Sequence, residues 1–117
     1  MIARSRLLVV VLAVAALAVL AGCGGRGDPD ASPVATSTVS MQDSEFKPSH
    51  ISVEPGTTVS WTNDDGYPHD VALRGGERSP VIDGGGTFEM AFPDAGVFDY
   101  ECTLHPGMMA RVTVGGD

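Results

Sequence analysis

The side chains best suited to chemistry in this chain crowd into "YECTLHPGMM", residues 100 to 109. There Cys102, His105 and Met108 bring a thiol, an imidazole and a thioether within one short loop. A second imidazole, His69, stands earlier in "NDDGYPHD", residues 63 to 70. Thiolate and thioether are soft donors that suit Cu(I), and imidazole suits copper as well. Two imidazoles and a thiolate in a trigonal set, with a weak axial thioether, make a one-electron copper site. Two other chemistries would use the same residues: a buried structural thiol, or a Cys102–His105 nucleophile pair. A catalytic thiolate needs an electropositive, partly exposed setting, and the acidic residues near this loop offer none.

These residues need elements that bring them together. The globular part alternates in periods of two between turn signals, with no convincing helical pattern. Strands are expected near "VSMQDSEF", in "HISVEP", "TTVSWTN", "DVALR", "TFEMAF" and "VFDYEC", and in a last strand "ARVTV". About seven short strands of this kind predict an all-β, Greek-key β-sandwich. Parity then aims the side chains. Phe98, Tyr100 and Cys102 share a face with the core, and Val97, Asp99 and Glu101 take the other. Met108, Ala110, Val112 and Val114 point inward, against Met109, Arg111 and Thr113. His69 shares parity with Val71 and Leu73, against Asp70, Ala72 and Arg74. Met109 would replace Met108 only if the loop were bulged. His50 has no candidate ligand near it in sequence and reads as a strand-edge or surface residue. "GGERSPVIDGGG" lacks the lysine and the following helix of a phosphate loop.

The first third of the chain reads differently. Arg4 and Arg6 precede an unbroken apolar run from Leu7 to Leu20, the length of a signal h-region rather than a bilayer span. The run closes on "LAGC", which resembles the lipobox of bacterial lipoproteins. That resemblance implies cleavage after residue 22 and lipid on Cys23, with two or more acyl chains giving a stable anchor. Residues 1–22 are thus expected to be a lipoprotein signal peptide. Residues 23–38 form a lipidated cysteine and a flexible tether rich in Gly, Pro, Ser and Thr. Residues 39–117 form the domain. Beyond Cys23 stand five basic against fifteen acidic side chains, a net charge of −10. That balance excludes a nucleic-acid partner and suits a basic one. With Cys23 lipidated, Cys102 has no intramolecular disulfide partner, which leaves metal binding or reactivity to explain it.

"NDDGYPH" followed by "CTLHPGMMARVTV" resembles the cupredoxins, specifically the plastocyanin–amicyanin group of type 1 blue copper proteins, over about residues 39 to 115. The resemblance implies one type 1 copper ion held by His69, Cys102, His105 and Met108. The two residues between His105 and Met108 match the short amicyanin-type loop. Asn63 matches an asparagine that helps hold the first ligand loop. Asp70 departs from the pattern, since asparagine usually follows this histidine, and an ionised carboxylate accepts hydrogen bonds without donating them. The implied function is that of a monomeric, lipid-anchored carrier of single electrons between redox proteins at the extracytoplasmic face of a bacterial membrane. It is not expected to be an enzyme or to take a small-molecule substrate. Electrons would pass through the exposed edge of His105, ringed by Leu104, Pro106, Gly107, Met109 and Pro68. Asp64, Asp65, Asp99 and Glu101 would steer a basic partner. The alternative is a copper-binding or copper-delivery lipoprotein with no carrier role.

Overall fold

A computed structural model describes residues 27–116. The expected signal peptide and Cys23 lie outside the described residues. Nine strands follow in chain order: β1 (Val34–Ala35), β2 (Thr38–Gln42), β3 (Glu45–Lys47), β4 (His50–Val53) and β5 (Thr57–Asn63), then β6 (Ala72–Leu73), β7 (Thr87–Phe92), β8 (Gly96–Glu101) and β9 (Met109–Val114). No helix occurs among the described residues. One sheet has the order β1-β4-β9-β8-β6 and the other β3-β2-β5-β7. Both are mixed, because β1 with β4, β4 with β9, and β2 with β5 run parallel.

The core is the inward parity of both sheets. Val59 of β5 pairs with Met90 of β7 in an antiparallel register, the Trp61 ring lies 6.4 Å from that of Phe92, and Tyr100 of β8 pairs with Ala110 of β9. All of them are buried. Trp61 donates its Nε1–H to the Tyr100 hydroxyl at 3.1 Å, joining the two sheets with one buried hydrogen bond. Such apolar side chains each stabilise the fold by about 1.5–3 kcal/mol when fully buried. Ala110, Val112 and Val114 are buried and Met109, Arg111 and Thr113 are half-buried, as parity predicts.

Nine strands appear where about seven were expected, for two reasons. The stretch near "VSMQDSEF" is a hairpin, with β2 and β3 joined at Asp43 and Ser44, whose φ angles are 56° and 57°. Two left-handed residues are the geometry of a tight hairpin turn. A distant carboxylate imposes it here: Asp65 accepts the backbone N–H groups of Asp43 and Ser44 at 2.8 and 3.0 Å. The second reason is β1, which lies within the stretch read as a tether. Ser49 Oγ donates to the Asp28 carbonyl at 2.7 Å, His50 Nδ1 donates to the Ala31 carbonyl at 2.6 Å, and Arg111 pairs with Asp30 at 2.9 Å. β1 itself pairs with β4 in parallel register, Val34 with Ile51 and Ala35 with Ser52, and both of its side chains are exposed, so apolar periodicity gave no sign of it. His50 is accordingly half-buried on an interior strand, with Nε2 2.7 Å from Thr113 Oγ1, rather than at a strand edge. Gly27, at φ 108°, lies against the Met109 backbone, where a Cβ would stand 2.4 Å from the carbonyl oxygen. The segment therefore enters the sandwich at the end where β8 hands over to β9.

Candidate metal centre

The loop between β8 and β9 is built by its own residues. Met108 N–H donates to the His105 carbonyl at 3.1 Å, spanning Pro106 and Gly107, and Gly107 has a φ of 86°. Proline followed by a left-handed glycine inside such a bond is a type II turn. The Cys102 N–H donates to the Met108 carbonyl at 2.9 Å and closes the loop at its base. Cys102 leaves β8 in the inward parity, and its side chain is 2% exposed. His69 arrives from the other side on the irregular segment between β5 and β6, its backbone bridged to Ile82. Asn63 fixes that segment: its Nδ2 donates to the Tyr67 and Ile82 carbonyls at 2.9 Å each, and its Oδ1 accepts the Asp65 N–H at 2.9 Å.

Three ligand atoms converge. His69 Nδ1 and His105 Nδ1 are 3.2 Å apart, and Cys102 Sγ lies 3.8 and 3.6 Å from them respectively. A triangle with these sides has a centre about 2 Å from every corner, close to the length of a first-row metal bond to imidazole nitrogen. His69, Cys102 and His105 are the one such cluster of potential ligands among the described residues. Met108 is wholly buried directly after this loop.

The groups behind the ligands set their chemistry. His69 Nε2 lies 2.7 Å from Asp65 Oδ2. A carboxylate only accepts, so Nε2 carries the proton and Nδ1 is left with its lone pair aimed at the centre. Burial pushes the Asp65 carboxyl up, but the Ser44, His69 and Asp43 donors outweigh it and hold it below its usual range. The Cys102 thiol is pushed up, first by burial, against the drawing-down effect of the Asp70 and Leu104 N–H groups. The Asp70 N–H stands 3.5 Å from the sulfur. Tyr67 covers the site from outside, its ring 5.2 Å from that of His69 and 5.4 Å from that of His105. Its hydroxyl hydrogen-bonds Ser44 Oγ at 2.8 Å.

Several expectations change. Asp70 and Ala72 were assigned to the outward parity, yet both are buried. Strand geometry covers only Ala72–Leu73 in this region, so alternation does not govern residues 69 to 71. Among the described residues, Asp99 alone of the acids assigned to steering has its charge offset by arginine. Asp65 is engaged with His69 and the hairpin turn, and Asp99 pairs with Arg111 at 2.6 Å. Asp64 accepts a hydrogen bond from Ser40 and stays exposed, as does Glu101 on β8. Sequence reasoning missed Asp65 as a partner of His69, and missed Tyr67, Arg78 and Thr103 entirely. For Asp65 a signal existed, since it stands four residues before His69; for Arg78 none did.

With the fold and the donor set in view, the class of protein follows. Residues 34–115 match the copper binding proteins of the plastocyanin/azurin family, and the chain belongs to that family, the cupredoxins. Its cofactor is one type 1 copper ion, which the two imidazole nitrogens and the thiolate fit. Among its relatives, amicyanin of Paracoccus denitrificans is 28% identical over 120 residues, covering 88% of this chain and 92% of that protein. Halocyanin of Natronomonas pharaonis is 40% identical over 77 residues, covering 59% of this chain and 47% of that protein. The structure of a purple cupredoxin from Nitrosopumilus maritimus superposes with a TM-score of 0.64 at 28% identity, covering 68% of this chain and all of the other.

Proposed function

We propose that this protein is a lipid-anchored carrier of single electrons between redox proteins at the extracytoplasmic face of a bacterial membrane. The observation that carries the proposal is the triangle of His69 Nδ1, His105 Nδ1 and Cys102 Sγ at one end of the sandwich, with His69 and Cys102 buried and His105 half-buried. Copper held there supplies a one-electron couple. Met108, wholly buried beside the loop, would supply the fourth donor in this reading. Asp65 holds the His69 tautomer, Asn63 holds the His69 segment, and the type II turn holds His105 relative to Cys102. Ligands fixed this way shift little between two oxidation states, which suits rapid electron exchange. Four protein donors leave no open position for a substrate, so the reading is a carrier and not an enzyme. A site gripped by so many hydrogen bonds also favours keeping the ion over handing it to an acceptor.

His105 is half-buried and bordered by exposed Leu104, Pro106, Gly107 and Tyr67. A small apolar patch around a conducting edge fits a brief redox encounter. Residues 23 to 27 span at most about 14 Å of extended chain. Because Gly27 rests against Met109, a lipid on Cys23 would hold the metal end of the domain close to the bilayer surface.

The test is a redox titration of the copper-loaded protein followed in the visible. We expect an intense thiolate-to-copper band that bleaches with one electron and returns on reoxidation. A copper-loaded protein without that band, or one that loses its copper on reduction, would overturn the carrier reading.

A further inference from the structure

The Asp70 side chain is 0% exposed and lies between the two segments that carry the ligands. Its Oδ1 accepts the Thr103 N–H at 2.6 Å, and its Oδ2 accepts the Thr103 hydroxyl at 2.5 Å. The same Oδ2 takes Arg78 Nε at 3.0 Å and Arg78 Nη2 at 2.9 Å. Arg78 Nη2 also donates to Thr103 Oγ1 at 2.8 Å, which closes a three-residue ring. Thr103 follows Cys102 and Asp70 follows His69, so the ring bolts one ligand to the other. Arg78 reaches it because the chain turns back on itself after β6: Ala72 bridges Arg78, and Ser79 exchanges backbone and side-chain hydrogen bonds with Val71. A buried carboxylate beside a thiolate is unfavourable unless a cation is bound to it. The planar guanidinium meets that need with fixed geometry as well as charge.

We propose that Arg78 is a positioning residue of the metal centre, and that Arg78 and Asp70 form one charge-neutral clamp that sets the copper reduction potential. The proposal rests on the copper reading of His69, Cys102 and His105. Breaking the clamp from either side leaves an unbalanced charge, and the two breaks act in opposite directions. Without Arg78 the bare carboxylate favours the more positive Cu(II) state. Without Asp70 the guanidinium favours Cu(I), to a smaller degree because Arg78 is largely exposed and can turn to water.

The experiment measures midpoint potential and visible spectrum for the copper-loaded Arg78→Gln, Asp70→Asn and Asp70→Asn/Arg78→Gln proteins, with denaturant midpoints for their metal-free forms. We expect Arg78→Gln to raise the Cu(II)/Cu(I) ratio at fixed potential at least tenfold, a downward shift of about 59 mV for one electron. Asp70→Asn should shift the potential upward by less, and the double variant should return to within twofold of the parent ratio. In the metal-free series Arg78→Gln should be far more destabilising in the parent than in the Asp70→Asn background. If Arg78→Gln fails to fold while the double variant folds, the coupling stands. Equal effects of Arg78→Gln in both backgrounds, an unmoved potential, or a double variant that also fails to fold would each overturn the clamp. The metal-free arm involves no electron transfer, so its failure is separable from failure of the carrier reading.

Discussion

Asp65 accepts the Nε2–H of His69 at 2.7 Å while its two oxygens also hold the backbone of Asp43 and Ser44. One carboxylate thus connects a hairpin turn on one sheet to a ligand at the end of the sandwich. Removing it should free the His69 ring and leave its buried Nε2–H without an acceptor. We expect Asp65→Ala to weaken copper affinity by about 10–100-fold, the usual effect of losing an outer-shell partner. Asp65→Asn keeps an acceptor and should lose much less. Competition against a chelator of known affinity measures both, and equal affinities for Ala and parent would show that the contact does not orient the ring.

Cys102→Ser should abolish the thiolate-to-copper band and leave the sandwich folded, since serine is close in size and keeps the backbone bond to Met108. The paired measurement is visible absorption against far-ultraviolet circular dichroism. Met108→Gln should keep copper and lower the potential, because the axial donor tunes it. An unchanged potential would point away from Met108 as the axial donor.

The metal-free Cys102 thiol is pushed above its ordinary range, chiefly by burial. Copper binds the thiolate, so loading near neutral pH must displace that proton. We expect copper binding to release one proton that Cys102→Ser does not release. Calorimetry in buffers of different ionisation enthalpy counts it.

Asp99 is held below the usual 3.8, first by its hydrogen bonds from Arg111 and further by the Arg74 and Arg111 charges. A carboxyl with a depressed folded pKa stabilises the fold above the unfolded value and loses that contribution as pH falls through the folded one. The metal-free protein should therefore weaken progressively below about pH 4. Arg111→Gln should flatten this limb and reduce stability at pH 7 by about 0.5–1 kcal/mol, modest because the pair is partly solvated. Denaturant midpoints at pH 7, 4 and 3 for the two proteins give the comparison.

Much of the site was legible because strands obey a strict period. Cys102, Met108, Ala110 and Val112 point inward as alternation requires, and "HPGM" spells its own type II turn through Pro106 and Gly107. His69 was legible by type and spacing. Its neighbour Asp70 was misplaced because residues 69 to 71 are held by isolated bridges rather than a continuous ladder, and period two has no force there. β1 escaped notice because its two exposed residues join β4 through backbone pairing alone, which leaves no mark on hydropathy.

By itself the amino-acid order determined which donors exist, how far apart they stand along the chain, and which face of β8 and β9 they share. Those are local properties, governed by backbone period and turn chemistry. Only the tertiary structure decided that Asp65 would orient His69, that Arg78 would neutralise Asp70, and that the amino-terminal segment would enter beside the metal end. Each of these joins groups separated in sequence or turned by irregular backbone. Hydrogen bonds and charge pairs of that kind depend on where folding delivers two side chains, and no local pattern records it.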